Sequence, residues 1–237
     1  MAKEETQAPA LPAKNDSDNP ALLQIMIAEY NVLQAGRSGT IYDAHGRVNL
    51  YIGSISSVVV ALAFIGQVSE IGQAFFVFAL VLLLPLMFMG LVTFMRLLNI
   101  GVADMIYTRG MYRIRHFYTE VQPEAERYFI LGTHDDMAGI FEEYGDSHGS
   151  LPGWVYMMFS TSGMVGTMNS LLLGAFAAIL MYVLFAAAPL ICIVIGAVVF
   201  AIAVYLHLRY QDAHWKIRDK HLKVLFPTPQ SKASELN

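Results

Sequence analysis

Two stretches of this chain, Asn49 to Leu98 and Thr167 to Tyr210, are so apolar and so poor in charge that water is not a plausible solvent for them. The first reads NLYIGSISSVVVALAFIGQ, breaks at VSEIGQ, and resumes as AFFVFALVLLLPLMFMGLVTFMRLL. The second reads TMNSLLLGAFAAILMYVLF, breaks at AAAP, and resumes as LICIVIGAVVFAIAVYLHLRY. A hydrocarbon core of about 30 Å takes roughly 20 residues of α-helix, and each half-stretch supplies that length. Glu70 is the only Asp, Glu, Lys or Arg between Asn49 and Met95, and none lies between Gly149 and Leu208. Uncharged apolar runs of about 18 residues or more read as membrane spans rather than as a soluble core. The expected fold is therefore all-α and integral to a membrane, with four transmembrane helices in two hairpins over 49–98 and 167–209. Pro189 fits the first turn of the fourth helix, where its missing N–H costs nothing.

The basic residues set the expected orientation. All 15 Lys and Arg fall in Lys3–Arg47, Arg96–Arg127 or Arg209–Lys232, and neither hairpin tip carries one. Basic residues flanking spans stay on the cytoplasmic side, which predicts both termini and the middle segment facing inward across an inner (cytoplasmic) membrane. Residues 1–20 are polar and lack an apolar segment, so a flexible tail without a cleaved signal peptide is expected there. The lone cysteine, Cys192, provides neither a disulfide framework nor a thiol metal site, and a net charge of −4 gives no footing for nucleic acid.

Inside the spans the remaining polar side chains are Ser54, Ser56, Ser57, Thr93, Asn169, Ser170 and His207. Coupled carriers and proton pumps place ionisable groups in the membrane, so their scarcity argues against a proton-coupled transporter. Hydrogen bonding between helices is one use for these residues. A water-facing lining made of Ser54, Ser57 and Asn169 is another. Small residues recur every fourth position, as Gly166, Ser170, Gly174 and Ala178 on the third span and as Gly53, Ser57 and Ala61 on the first. Such faces let helices approach closely in lipid, between hairpins or between copies of the chain. Pro85 is expected to kink the second span.

Residues 99–166 are too long for a connector and predict a cytoplasmic helical region. Leu97 to Val121 carries helical spacing and continues the second span, with Pro123 just past its end. Short helices are expected at Pro123–Leu131 and at about Asp135–Tyr144, the latter capped by Asp135 or Asp136 and stopped at Gly145. Upstream, 21–48 forms a juxtamembrane helix whose continuity through Gly36, Gly39 and Gly46 into the first span is left open. Downstream, Arg209–Phe226 is expected to prolong the fourth span, and the basic 210–237 tail to anchor at lipid headgroups.

Two clusters hold candidate chemistry. On the helix after the second span, Arg109, Arg113 and His116 share one face, with Glu120 a turn beyond, while Arg115 points elsewhere. Guanidinium forks suit phosphate and carboxylate, so with the neighbouring tyrosines these four residues form a candidate site for an anionic ligand. The competing use is headgroup contact or pairing with the acidic stretch that follows. The second cluster is His134, Asp135, Asp136, Glu142, Glu143, Asp146 and His148. Its spacing matches no metal template, and a helix cap with a solvated acidic face accounts for it, so neither metal nor cofactor is assigned.

These features lead to a non-enzymatic, self-associating membrane protein that couples a cytoplasmic signal or protein partner to the bilayer, as a small channel or membrane effector. The alternatives are a structural subunit of a larger membrane complex and a metal-dependent enzyme at the cytoplasmic interface using His134, Asp135 and Asp136.

Overall fold

A computed structural model describes residues 20–68, 71–142 and 153–229, and those residues are mostly helical with no strands. The expectations for the N-terminal tail, Glu70, Glu143, Gly145, Asp146, His148 and Lys232 lie outside the described residues. Four helices are long and apolar enough to cross a membrane. They are α1 (Pro20–Val68), α2 (Gln73–Val121), α5 (Thr161–Phe185) and α6 (Pro189–Lys220), with two short helices between them, α3 (Met137–Glu142) and α4 (Gly153–Phe159). At about 1.5 Å per residue, the 49 residues of α1 reach about 74 Å, more than twice a hydrocarbon core. The charged halves of α1 and α2 are thus continuations of membrane-length helices.

The hairpin tips lie at one end of the bundle, where Phe76 of α2 meets Tyr182 of α5 with ring centroids 4.7 Å apart. At the other end gather the Lys and Arg residues among those described. In space α1 packs on α2, α2 on α5 and α5 on α6, while α1–α5 and α2–α6 contacts are sparse. The buried centre holds Tyr51, Leu83, Leu86, Phe94, Leu97, Leu98 and Val165. Only 11–22% of each helix's most apolar stretch is covered by the chain itself, so lipid or another protein must cover the rest.

Beyond the apolar segments, ion pairs join the packing of Leu33 on Gly110 and of Tyr107 on Gly36 between α1 and α2. Arg37 Nε donates to Asp104 Oδ1 at 3.1 Å, and Asp43 takes Arg47 at 2.9 Å and Arg96 at 3.6 Å. α1 runs unbroken through Gly36, Gly39 and Gly46, which answers the question left open above. Pro85 lies inside α2 without ending it.

Several boundaries differ from the sequence reading. Pro123–Tyr128 is a single 3-10 turn rather than an α-helix to Leu131, because Phe129 turns extended and closes it. α5 begins at Thr161, six residues ahead of the apolar run, because the Ser160 hydroxyl caps it by accepting from Gly163 N–H at 3.1 Å. α6 stops at Lys220 rather than reaching Phe226. The segment after it, 222–228, leaves the helix and folds back as a non-helical strap.

Candidate functional site

The strap meets the arginine face of α2. Arg109, only 3% exposed, pairs through Nη2 with the Asp219 carboxylate, and its Nη1 reaches the Leu222 carbonyl at 3.5 Å. One turn on, Arg113 Nε donates to Asp135 Oδ2 at 2.7 Å, and its Nη2 donates to the Lys223 carbonyl. A further turn places His116 flat against Phe226, with centroids 3.8 Å apart and the Glu120 carboxylate 3.7 Å from Nε2. Arg115 points to α1, as its offset of two from Arg113 requires. Its Nη2 donates to the Tyr30 hydroxyl at 3.0 Å, and its guanidinium lies over the Tyr30 and Tyr112 rings.

Asp135 is the centre of this knot. It is fully buried and accepts from Arg113, from Leu225 N–H at 3.1 Å on both oxygens, and from Phe226 N–H at 2.7 Å. Its own N–H returns a bond to the Phe226 carbonyl at 3.1 Å. A carboxylate has about four acceptor positions, so these contacts use it fully. Asp136 does two jobs. Oδ1 caps α3 through Gly139 N–H at 2.9 Å, and Oδ2 accepts both Thr228 N–H and Thr228 Oγ1 at 3.0 Å. Among the described residues no group of three His, Cys, Asp or Glu side chains is placed to hold a metal. His134 stands beside His116, 6.4 Å away ring to ring.

Arg109, Arg113 and His116 are therefore brought together, and the strap lies over them. Asp219, Phe226, Thr228 and the carbonyls of Leu222 and Lys223 belong to the same site. Nothing in the local sequence marks those partners, because they come from more than 90 residues away along the chain. An incoming anion would reach Arg109 or Arg113 only by competing with carboxylates and carbonyls already in place. What the arrangement can do chemically is hold the strap or let it go.

No family model matches this chain, and neither a curated protein nor a solved structure is similar to it.

Within the spans the small-residue positions separate into two groups. A methyl group at Gly174 would meet the Gly196 carbonyl at 2.7 Å, and one at Gly196 would meet Ala178 Cβ at 3.0 Å. At Gly166 it would meet Phe94 and His207 at 3.2–3.3 Å, and Ser170 Oγ lies 3.1 Å from His207 Nδ1. Gly166, Ser170, Gly174 and Ala178 thus face α6, inside the second hairpin, with Phe94 of α2 also reaching Gly166. Gly53 has open space in front of it, Ser57 is exposed, and Ala61 is half-buried.

The three residues considered as a pore lining are not gathered on one surface of the chain. Ser54 and Ser57 donate to their own helix, at Leu50 O and Gly53 O. Asn169 is buried against Gly90, where a Cβ would sit 2.5 Å from Asn169 Oδ1 and 2.6 Å from the Tyr51 hydroxyl. Glycine at 90 is what leaves room for both polar groups. Neither Asn169 Oδ1 nor Tyr51 Oη has a hydrogen-bond partner among the described residues.

Beyond the apolar part of α6, His214 holds a proton less readily than a free imidazole. Burial, and then the Arg218 guanidinium, lower His214 from its ordinary value of 6.5. Its Nε2 is buried with no partner among the described residues. The unfolded chain takes up this proton near pH 6.5 while the folded one refuses it. The stability His214 contributes is therefore present above pH 6.5 and is lost as pH falls toward its lowered value. Melting temperatures measured against pH should decline more steeply below 6.5 for the unaltered protein than for His214→Phe. Equal slopes would contradict the assignment.

Proposed function

We propose that this chain is a non-enzymatic membrane effector that couples a cytoplasmic ligand or protein partner to the bilayer through the strap on α2. The observation that carries the reading is that Arg109, Arg113 and His116 lie on the continuation of a membrane-length helix and clamp the segment that leaves another, α6. In this reading the termini and the strap are cytoplasmic, which the Lys and Arg distribution supports. An anionic ligand or an acidic partner competes for Arg109 and Arg113, frees the strap, and changes how α2 and α6 are held at the membrane boundary. A phosphate group suits this role, since guanidinium forks bind it in two-point fashion.

Hydrogen exchange on the full chain in nanodiscs tests the coupling. Arg113→Ala should speed exchange at 222–228 and also in the cytoplasm-facing turns of α2 and α6, and should alter ion flux through reconstituted vesicles. Faster exchange confined to the strap, with flux unchanged, would sink the proposal.

A second reading has its own support in the open face of α1 at Gly53, Ser57 and Ala61, where a neighbouring helix could pack closely. On that reading the chain self-associates or docks into a larger assembly. The protein mass per detergent-solubilised particle, with bound detergent and lipid subtracted, should then exceed the 26.3 kDa of one chain, and Gly53→Leu should shift it toward that mass. A particle already at one chain's mass would remove this reading.

A further inference from the structure

Next to the strap but separate from it, α2, α3, α4 and α6 line an open cavity of about 430 Å³. Its wall is largely apolar, with Met105, Met137, Ile140, Met157 and Trp215, and no Lys or Arg among its lining residues. Gln211 is the informative member. It is 2% exposed, and its Nε2 donates to the Met157 carbonyl at 3.3 Å and to the Ser160 hydroxyl at 3.0 Å. A carbonyl can only accept, so Met157 fixes which end of the amide is nitrogen. The other end, Oε1, is buried and has no hydrogen-bond partner among the described residues. Buried acceptors are nearly always satisfied, because leaving one bare costs about 1–3 kcal/mol.

The cavity adjoins a second one that lies toward the apolar segments. This smaller one of about 210 Å³ shares Gly101, Asp104, Ser160 and Trp215 with it and extends to Leu97 and Ala44, at the margin of the apolar segments. Trp215 stands at the join, packed on α2 where Gly101 offers no Cβ and one would meet the indole at 3.0 Å. Asp104, the one acid on the shared wall, is engaged by Arg37. Mostly apolar cavities of a few hundred Å³ with one or two aimed polar groups are what small ligands fill.

We propose that this cavity binds a neutral amphiphile drawn from the bilayer, its chain against the methionines and Trp215 and its hydroxyl or amide N–H donated to Gln211 Oε1. The site stands whether or not the coupling reading holds.

The test uses the full chain in nanodiscs of dioleoylphosphatidylcholine, with Trp154→Phe leaving Trp215 as the sole indole. Two quenchers are compared: a monoacylglycerol with a brominated chain, and the methyl ester of the same brominated acid, which has no donor. The monoacylglycerol should quench Trp215 saturably, and the ester should need about tenfold more to reach half-saturation, the worth of one hydrogen bond to a buried acceptor. Gln211→Leu should bring the two curves together. Thr108→Phe keeps the amide but intrudes on the cavity, and should weaken saturable quenching by both probes alike. Equal, non-saturating quenching of the unaltered protein would mean that Trp215 senses bulk lipid only, and would overturn the proposal. Saturation by 6-bromohexanol added from water, but not by the monoacylglycerol, would overturn the bilayer as the source.

Discussion

Asp135→Ala should release the strap and raise the rate of protease cleavage after Lys223 by about a hundredfold. The carboxylate is wholly buried and holds Arg113, Leu225 N–H and Phe226 N–H at once. Removing it leaves a guanidinium and two backbone donors without their acceptor. Breaking one side of a buried charge pair costs about 3–5 kcal/mol. At about 1.4 kcal/mol per tenfold, even the lower figure exceeds a hundredfold in the open population. Cleavage follows that population where opening and closing are fast. Arg113→Ala should do less, since Arg113 is a third exposed and water can take over part of its role. The double variant should cost clearly less than the sum of the two, because both remove the same contact. Cleavage at the unaltered rate in Asp135→Ala would mean that the strap is held by its other contacts, those of Leu222, Lys223, Phe226 and Thr228.

The second large effect is expected at the crossing of α5 and α6. Gly174→Val should lower the stability of the detergent-solubilised protein by about 3 kcal/mol, at the upper end of the cost of overpacking. The obstacle facing the new side chain is the Gly196 carbonyl, which is backbone and has no rotamer to move into, with Phe200 Cβ beside it at 3.0 Å. Gly53→Ala is the control. Nothing lies within 4 Å of the position its methyl would take, so the melting temperature should not fall. Equal losses from the two substitutions would contradict the crossing, because helix propensity favours alanine over glycine by about 1 kcal/mol and by itself predicts no loss at Gly53.

The contrast between these glycines shows where sequence reading reaches its limit. Both stripes were visible as small residues every fourth position, yet spacing alone could not say that one faces α6 and the other faces nothing in the chain. The four membrane-length helices were legible because lipid imposes a length and a lack of charge that leave little choice. The shared face of Arg109, Arg113 and His116 was legible too, because it follows from the helical repeat. Their partners were not, since Asp135 and the strap arrive from distant parts of the chain. The end of α6 was misplaced for a related reason. Leu222 to Phe226 has a composition that suits a helix, and it is the non-local bonds to Asp135 and Asp136 that draw it away. The start of α5 was missed because hydropathy marks where a helix is apolar, whereas the Ser160 hydroxyl marks where it begins. Gln211 gave no signal in sequence, as one amide in a polar, basic stretch.

The spatial order α1–α2–α5–α6 has one more consequence. Helices set side by side make a panel with two free edges, and a panel encloses nothing. Any aqueous path across the bilayer built from this protein would have to be walled by several panels joined edge to edge, with α1 of one chain closing against a neighbour. Opening and shutting such a path would then be a matter of how the seams between chains fit.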